Sequence, residues 1–424
     1  MSRSLDQIVS GKGLLVVKVG SSLLVDGECR LRDGWMRRLV ARLSKRPGPV
    51  VVVSSGAIAL GRSALGLEGR PRLLAQAQAA AAVGQIHLAG AWANAWLSQG
   101  RQAAQILLTL GDLEQRPRYL NARATLETLL ERAIVPVVNE NDTVATEEIR
   151  FGDNDRLAAR VSALLGANHL LLLSDVDGLY SADPTVDPNA RHIETVDGIT
   201  PEIQALAGSA RSDGVGTGGM ASKLQAARIA TEAGVEVILA AGTGDDPLGA
   251  LVNGARHTSF HAARRPMAAR KQWLKSLQQP QGWIEIDSGA LAALGRGSSL
   301  LAAGVRAVHG EFARGELVRI HGPDGPVGQG LSAYRSDQAR QIVGLNSADI
   351  TEVLGEASRG PLMHRDDLVL SSVDCEMATK KLLEPPKAPK TPNWFWSNFG
   401  VFGVFGGFYL FSLAKAQRRE GKSI

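Results

Sequence analysis

Polar residues that could bind a charged ligand follow a buried strand in the middle of the chain. The apolar run Ile134 to Val138 ends at Asn139 to Asp142, and a second polar group, Gly152 to Asp155, opens a helix at Arg156. Loops at the carboxyl end of parallel strands are where α/β proteins bind ligands. Amides and carboxylates in that place suit a small amine-bearing ligand or a metal-bound phosphate. Two well-capped turns are the alternative, because Asn, Asp and Gly are common turn residues.

A lysine interrupts the first apolar strand of the chain. Residues 13–20 read GLLVVKVG, which predicts a buried strand with Lys18 near its carboxyl end. A lysine in such a strand must meet an anion or lose its proton, because burial disfavours the charged form. Residues 20–22 (GSS) follow, so a phosphate could approach Lys18 there. The alternative is a lysine on an edge strand whose ammonium group reaches solvent.

A glycine-rich stretch offers a second place for an anion. Residues 214–219 (GVGTGG) match GxGxxG, but residues 205–213 have helix or loop character, whereas a dinucleotide fingerprint follows a strand directly. These glycines and the N-terminus of a helix from Met220 can still bind an anion through backbone N–H groups. Lys223 would face the same anion from the first helical turn, unless it is an ordinary surface lysine. The sequence contains no GxxxxGK[ST] motif, which argues against a P-loop enzyme.

The acid/amide clusters, Lys18 and the glycine-rich stretch with Lys223 are all predicted to lie at one edge of the sheet. The loop Ser54 to Ala57 faces the same edge. Two lysines, glycine-rich loops and acid/amide clusters suit phosphoryl transfer, where positioning and charge neutralisation supply most of the catalysis. A lysine on each side of the migrating group would stabilise its oxygens, and Asp155 would orient the lysines. A carboxylate acceptor would need no general base, because it is already ionised at pH 7.

The elements that must position these residues alternate between strand and helix. Continuous apolar strands between helices predict a mainly parallel sheet covered on both faces, the α/β class. The predicted strands span residues 13–20, 50–53, 104–108, 134–138, 170–173 and 235–240, and the predicted helices span residues 35–44, 72–98, 118–132, 155–165 and 220–233.

The texture changes after a connection near residues 264–280. Residues 283–287 and 316–320 alternate apolar and polar side chains, as half-exposed strands do, short strands continue through 327–334, and helical patches follow at 288–295 and 337–356. We therefore expect a small β-rich domain after the α/β domain. The predicted boundaries are 1–265 for the α/β domain, 281–366 for the β-rich domain, 371–393 for a Pro/Lys linker, 394–414 for a candidate membrane helix and 415–424 for a basic tail.

The last segment differs in composition from the rest. Residues 394–414 carry no charged side chain and hold nine of the twenty aromatic residues, so they could just span a bilayer. The basic residues that follow predict a cytoplasmic C-terminus. An amphipathic or disordered tail is the alternative, because Ser397, Asn398 and several glycines lower the hydropathy.

Charge and cysteine content narrow the function classes. Residues 371–424 contribute +4 of the net charge of +5, so the body of the chain is not a basic nucleic-acid platform. The two cysteines, Cys29 and Cys375, lie far apart and suggest a reducing compartment without disulfides or a zinc site. No apolar signal run opens the chain, so a cytoplasmic protein is predicted.

At these residues the chain resembles the glutamate 5-kinases of the amino acid kinase family. The resemblance covers about residues 13–370 and rests on long motifs in a shared order. They are VVKVGSS (16–22), VVVSSGAIALG (51–61), PVVNENDTVATEEIRFGDNDRLAA (136–159), LLLLSDVDGLYSADP (170–184), GTGGMASKLQAA (216–227) and MHRDDLVL (363–370). Residues 281–366 resemble the PUA domain that many bacterial members carry.

The resemblance implies ATP-dependent phosphorylation of the γ-carboxylate of L-glutamate, the first step of proline biosynthesis. It also implies Mg²⁺, feedback inhibition by proline, and a homo-oligomer, often a tetramer. The catalytic residues it implies are Lys18, Lys223 and Asp155, and the glutamate-binding residues are Ser55, Asp142 and Asn154. The implied ATP-binding residues are Lys18, Ser174, Asp175, Thr217, Gly218, Gly219, Met220, Ala221, Ser222 and Lys223. No residue is predicted to ligate a metal directly.

The sequence leaves two other functions open. Within the same fold, aspartate, acetylglutamate, carbamate or UMP as the acceptor would keep the lysines and glycines but change the pocket of Ser55, Asp142 and Asn154. A protein of another class would bind RNA or a membrane through the β-rich domain and the tail. Intact Lys18, Lys223, Asp153 and Asp155 argue against a vestigial kinase.

Overall fold

The computed structural model describes residues 8, 10–69, 71, 73–145, 153–207, 219–263, 266–277, 279–355, 358 and 360–370. The strands are β1 (Leu15–Val19), β2 (Val50–Ser54), β3 (Ala103–Leu108), β4 (Val135–Glu140), β5 (His169–Ser174), β6 (Leu179–Tyr180), β7 (His192–Ile193), β8 (Thr195–Val196), β9 (Glu236–Ala241), β10 (His257–Phe260), β11 (Gly282–Ile286), β12 (Val305–Gly310), β13 (Leu317–Gly322), β14 (Gly325–Leu331) and β15 (Leu368–Leu370).

The α-helices are α1 (Ser21–Leu24), α2 (Asp33–Ser44), α3 (Ala57–Ala64), α4 (Leu74–Leu97), α5 (Leu110–Glu114), α6 (Arg116–Glu131), α7 (Asp153–Leu165), α8 (Pro201–Ala205), α9 (Met220–Glu232), α10 (Pro247–Val252), α11 (Pro266–Ser276), α12 (Ser288–Gly295), α13 (Ser336–Gln341) and α14 (Ile350–Leu354). Short 3₁₀ turns lie at Ala302–Gly304 and Arg365–Asp367.

The larger sheet has eight strands in the order β3-β4-β2-β1-β5-β9-β10-β8. Its strands are parallel except where β10 runs antiparallel to β9. The apolar runs of β1, β2 and β5 are buried along their whole length, because helices cover both faces of the sheet. The prediction of a mainly parallel α/β sheet is confirmed.

Alternation along the strands divides the core into two layers. Val17 and Val52 pack on one face with the apolar side chains of α2 and α4. Val16 and Val53 pack on the other face with those of α7 and α9. Because side chains alternate along a strand, Lys18 faces the same side as Val16, toward α7 and α9. The strand therefore directs its lysine toward the helices that carry the predicted acid and the second lysine.

The smaller sheet has the order β12-β11-β13-β14-β15 and its own apolar core. Its fifth strand, β15, lies beyond residue 366, where the sequence predicted that this domain ends. Helix α11, predicted as part of a connection, packs against this sheet, and its Leu274 is buried with Leu317, Leu331 and Val369. The helical patch expected over 337–356 is two short helices, α13 and α14.

Within the described residues, no helix is both long and apolar enough to cross a membrane. The candidate membrane helix at 394–414, the linker and the basic tail all lie outside the described residues. Their predictions stay predictions.

Candidate active site

A buried carboxylate lies between two lysines at the carboxyl edge of the larger sheet. Lys18 Nζ is 2.5 Å from Asp155 Oδ1, and Lys223 Nζ is 3.5 Å from Asp155 Oδ2. Ser222 Oγ donates a hydrogen bond to Asp155 Oδ2 at 3.2 Å. The Asp155 side chain is 1 % exposed, so one acid from α7 joins a strand lysine to a helix lysine. We call Lys18, Asp155 and Lys223 the lysine cluster.

The structure contradicts two alternatives, an edge-strand position for Lys18 and a surface position for Lys223. Lys18 does not lie on an edge strand, because β1 is central and Lys18 is in register with Val53 of β2 and Leu172 of β5. Lys223 is not a surface lysine, because it is 7 % exposed. Both cations are buried beside an anion, as burial of a charge requires.

The electrostatics keep the acid ionised. Burial by itself raises the pKa of the Asp155 carboxyl, but the charges of Lys18 and Lys223 outweigh it. Hydrogen bonds from Lys18 and Ser222 add to the effect, so the pKa of Asp155 lies below its ordinary value. One carboxylate between two ammonium groups makes a site that favours an anionic ligand.

Two glycines lie at the strand ends beside Lys18. A Cβ atom at Gly20 would lie 3.8 Å from Lys18 Nζ, an ordinary van der Waals distance, so Gly20 borders the ammonium group. Gly56 has φ +112°, a left-handed conformation that glycine adopts without strain, as the chain turns from Ser55 into α3. Glycine at these two positions therefore shapes the rim of the site.

The predicted acceptor residues lie on neighbouring strand ends. Ser55 follows β2, and its N–H donates to the Val19 carbonyl of β1 at 3.1 Å. The Glu140 N–H, at the end of β4, donates to Asn154 Oδ1 at 3.3 Å. Asp142 lies two residues further, in the loop that follows β4. The structure thus brings Asn154 to the β4 loop, and the pairing of β2 with β4 places Ser55 on the adjacent strand.

The predicted nucleotide residues form two groups. Ser174 ends β5, beside β1, and its Oγ donates to Asp175 Oδ1 at 2.8 Å. Gly219 caps α9, whose first turn carries Met220, Ala221, Ser222 and Lys223. Thr217 and Gly218 lie outside the described residues, as do the other glycines of the GxGxxG match. Ser174 thus ends the strand beside Lys18, and the first turn of α9 contacts Asp155 through Ser222 and Lys223.

Sequence reasoning missed how the pocket is held in place. Asn139 is 2 % exposed, and its Nδ2 donates to Gln85 Oε1 of α4 at 2.6 Å. Trp92 Nε1, also on α4, donates to Ser54 Oγ at 2.9 Å. Gln85 and Trp92 are seven residues apart, a helical spacing that the composition of residues 72–98 concealed.

The described residues hold no group of three or more His, Cys, Asp or Glu side chains that could bind a metal ion. Mg²⁺ in phosphoryl-transfer sites is usually held by substrate phosphates with one or two carboxylates, so such a site needs no cage of protein ligands.

Two known family patterns match the chain. The Amino acid kinase family pattern matches residues 13–241, and the PUA domain pattern matches residues 282–354. The first match covers more than half of the chain and contains the whole lysine cluster. The chain belongs to the amino acid kinase family.

Curated relatives narrow the family further. The Glutamate 5-kinase of Rhizobium rhizogenes is 51% identical over 362 residues, which cover 84% of this chain and 93% of the relative. The Glutamate 5-kinase 1 of Mesorhizobium japonicum is 52% identical over 361 residues, 84% of this chain and 95% of the relative. At this identity and coverage the chain falls within the glutamate 5-kinase group of that family. A solved structure of isopentenyl phosphate kinase matches with 17% identity and a TM-score of 0.42 over 58% of this chain and 99% of that one.

Proposed function

We propose that the chain transfers the γ-phosphoryl group of ATP to the γ-carboxylate of L-glutamate and forms L-glutamyl 5-phosphate, the first step of proline biosynthesis. The observation that carries the proposal is Asp155 between Lys18 and Lys223 at the carboxyl edge of the larger sheet. The identity to the Glutamate 5-kinases supports the choice of acceptor.

The lysine cluster performs the electrostatic part of the reaction. The migrating phosphoryl group carries negative charge on three oxygens, and the ammonium groups of Lys18 and Lys223 stabilise that charge from two sides. Asp155 is the organising acid, because one rigid carboxylate fixes the position of both ammonium groups. Burial strengthens these interactions by excluding water. The lysines therefore act on the transition state, and Asp155 positions them.

The acceptor half of the site binds and orients the amino acid. Asn154 offers an amide, Asp142 a carboxylate that suits the α-ammonium group, and Ser55 a hydroxyl. The γ-carboxylate is ionised at pH 7 and attacks phosphorus without a general base. In the lysine cluster, Asp155 is already paired with the ammonium groups of Lys18 and Lys223.

ATP binds in the proposal through Lys18, the Ser174–Asp175 turn and the start of α9, with Thr217 and Gly218 completing the nucleotide site. A magnesium ion bound with the nucleotide would supply further neutralisation of phosphate charge. The protein's own contribution is the positive charge of the two lysines.

The direct test is ATP turnover by the full-length protein with glutamate, aspartate and N-acetylglutamate offered separately. We expect product formation with glutamate and less than a hundredth of that rate with the other two acceptors. Turnover with aspartate or N-acetylglutamate and none with glutamate would overturn the proposal. Repeating the glutamate assay with proline tests feedback inhibition, which predicts a concentration-dependent loss of turnover.

Assembly, other partners and location extend the proposal. We infer a homo-oligomer, as a tetramer, which sedimentation of the full-length protein checks by mass. The charge of the body does not support RNA binding through the PUA domain, so we expect added RNA to leave the sedimentation of the protein unchanged.

Contact of residues 394–414 with a membrane would tether a cytoplasmic enzyme. It predicts that the full chain, but not a chain ending at Leu370, co-sediments with lipid vesicles while both keep kinase activity.

A further inference from the structure

We propose that one stripe of helix α4, formed by Gln78, Gln85 and Trp92, positions the acceptor pocket from the face of the sheet opposite the lysine cluster. The three residues are spaced by seven, so they lie on one side of the helix about two turns apart. Each makes a polar contact with a different part of the predicted pocket. The inference rests on the proposed function, because it deepens the same site.

The first contact fixes the segment that leads into Ser55. Trp92 is fully buried, and its Nε1 donates to Ser54 Oγ at 2.9 Å. Ser54 Oγ in turn donates to the Ser55 carbonyl at 3.2 Å. Because Ser54 is the last residue of β2, this chain of hydrogen bonds sets where the strand ends and the Ser55 turn begins.

The second contact reaches Asn154 through a relay. Gln85 Oε1 accepts from Asn139 Nδ2 at 2.6 Å, and Asn139 Oδ1 accepts from the Glu140 N–H at 2.9 Å. The same N–H also donates to Asn154 Oδ1 at 3.3 Å. Gln85 thus holds the rotamer of a buried amide that shares a donor with Asn154.

The third contact holds the chain shortly after Asp142. Gln78 Nε2 donates to the Ala145 carbonyl at 3.1 Å. Gln85 holds Asn139 three residues before Asp142, and Gln78 holds Ala145 three residues after it. The same helix therefore contacts the chain three residues before Asp142 and three residues after it.

Helix α4 packs closely against the helix that follows the Ser55 turn. A Cβ atom at Gly84 would lie 1.8 Å from the Ala57 carbonyl oxygen, and one at Gly61 would lie 1.9 Å from the Ala80 carbonyl oxygen. The backbones of α3 and α4 are thus in direct contact. Helix α3 begins two residues after Ser55, so α4 is in backbone contact with the helix that follows the Ser55 turn.

Gln85 is a positioning residue in this account, because it acts on the acceptor through Asn139. Its loss should raise the KM for the acceptor and leave the KM for ATP unchanged, since Lys18, Lys223 and Asp155 lie toward the helices on the other face. A residue that only stabilised the fold would lower the unfolding midpoint and would not separate the two substrates.

The test compares Gln85→Met and Gln78→Met with Gln76→Met in the full-length protein. Methionine keeps the length of glutamine and removes its polar atoms. Gln76 is on the same helix but outside the stripe, so it controls for the substitution itself. We expect Gln85→Met to raise the KM for glutamate about tenfold, Gln78→Met to raise it less, and Gln76→Met to leave it unchanged, because a lost hydrogen bond is worth about one order of magnitude. The KM for ATP should stay within about twofold in all three.

Each outcome decides the inference. An unchanged KM for glutamate in Gln85→Met, or an equal rise in the KM for glutamate and for ATP, would overturn it. Failure of the proposed function appears differently, as a wild-type protein that turns over aspartate or N-acetylglutamate in place of glutamate. In that case the KM for the acceptor that is turned over and the KM for ATP are measured in the same variants. A rise in the acceptor KM alone supports the inference, and any other result overturns it.

Discussion

Two buried carboxylates in this molecule are each held between two cations, yet their surroundings differ. Asp155 lies between Lys18 and Lys223 at the edge of the larger sheet. Asp367, next to β15 of the smaller sheet, lies between Arg123 of α6 and Arg270 of α11. We call these last three residues the arginine cluster. The sequence offered motifs for both, because 363–370 (MHRDDLVL) contains Asp367.

Protein groups occupy the donors of the arginine cluster. Arg123 Nη1 donates to both oxygens of Asp367 at 2.8 and 2.9 Å, and its Nε donates to Glu127. Every side-chain nitrogen of Arg270 also donates, and the acceptors are Asp367, the Tyr119 hydroxyl and the Asp366 carbonyl. Burial lowers the pKa of Arg270, but Asp367 and Tyr119 outweigh it and raise the pKa above its ordinary value.

The two clusters differ in the type of cation, and arginine and lysine suit different tasks. A guanidinium is planar and pairs in a fixed fork, so the arginine cluster binds the kinase helix α6 to the PUA domain. Lysine is a compact point charge on a flexible stem, and an ammonium group can follow a migrating phosphoryl. The arginine cluster therefore joins two domains, whereas the proposed function assigns the chemistry to the lysine cluster.

The largest effect we expect is on the arginine cluster. Asp367→Ala leaves two buried arginines without their shared acid, and such a loss costs about 3–5 kcal/mol of unfolding free energy. Glutamate-dependent turnover per folded molecule should stay within about twofold, which urea unfolding and an activity assay check on one preparation. Asp337→Asn is the matched control, because its pair with Arg335 is exposed, and it should leave the midpoint unchanged. A stable Asp367→Ala protein would contradict the structural role.

The next effect belongs to the lysine cluster. Lys223→Ala should keep the fold, because Lys18 still neutralises Asp155. Turnover should fall at least about 100-fold, equivalent to about 2.7 kcal/mol of transition-state stabilisation. Lys12→Ala, at an exposed lysine, is the control and should keep full turnover. Turnover near the wild-type rate in Lys223→Ala would remove Lys223 from the mechanism.

The smallest effect is on acid stability. Burial raises the pKa of Asp367, but Arg270 and Arg123 outweigh it, so the folded pKa lies below the unfolded value of about 3.9. A lowered pKa adds stability that is present above the unfolded pKa and lost as the pH falls through the folded one. Unfolding free energy should therefore drop below about pH 4, and Asp367→Asn should make the drop shallower. An identical slope in the variant would contradict the contribution of Asp367.

The sequence predicted that Lys18, Asp155 and Lys223 meet at one sheet edge, and the roles assigned to them stay predictions. A lysine in a buried strand and acids after a strand end both need a partner, and parallel topology supplies one edge for all of them. The α4 stripe was missed because glutamines and a tryptophan in an alanine-rich helix break no rule. Their partners, Ser54, Asn139 and Ala145, are set by tertiary packing.

The extent of the smaller domain was also only partly predictable. The segment 264–280 has neither strand nor strong helical periodicity, so its packing as α11 on the smaller sheet depends on Leu274 meeting that sheet. Arg123 and Asp367 are 244 positions apart, and nothing local pairs them. Long-range pairing of ordinary surface residue types is the information that a single sequence conceals.

One measurement tests the central claim most directly: glutamate-dependent ATP turnover per folded molecule of Lys18→Ala and Arg123→Ala, side by side, at a temperature where both are folded. Each variant removes one of two cations from a buried carboxylate. The account predicts a loss of at least about 100-fold for Lys18→Ala and a change within about threefold for Arg123→Ala. Equal losses, or the larger loss in Arg123→Ala, would contradict the assignment of catalysis to the lysine cluster.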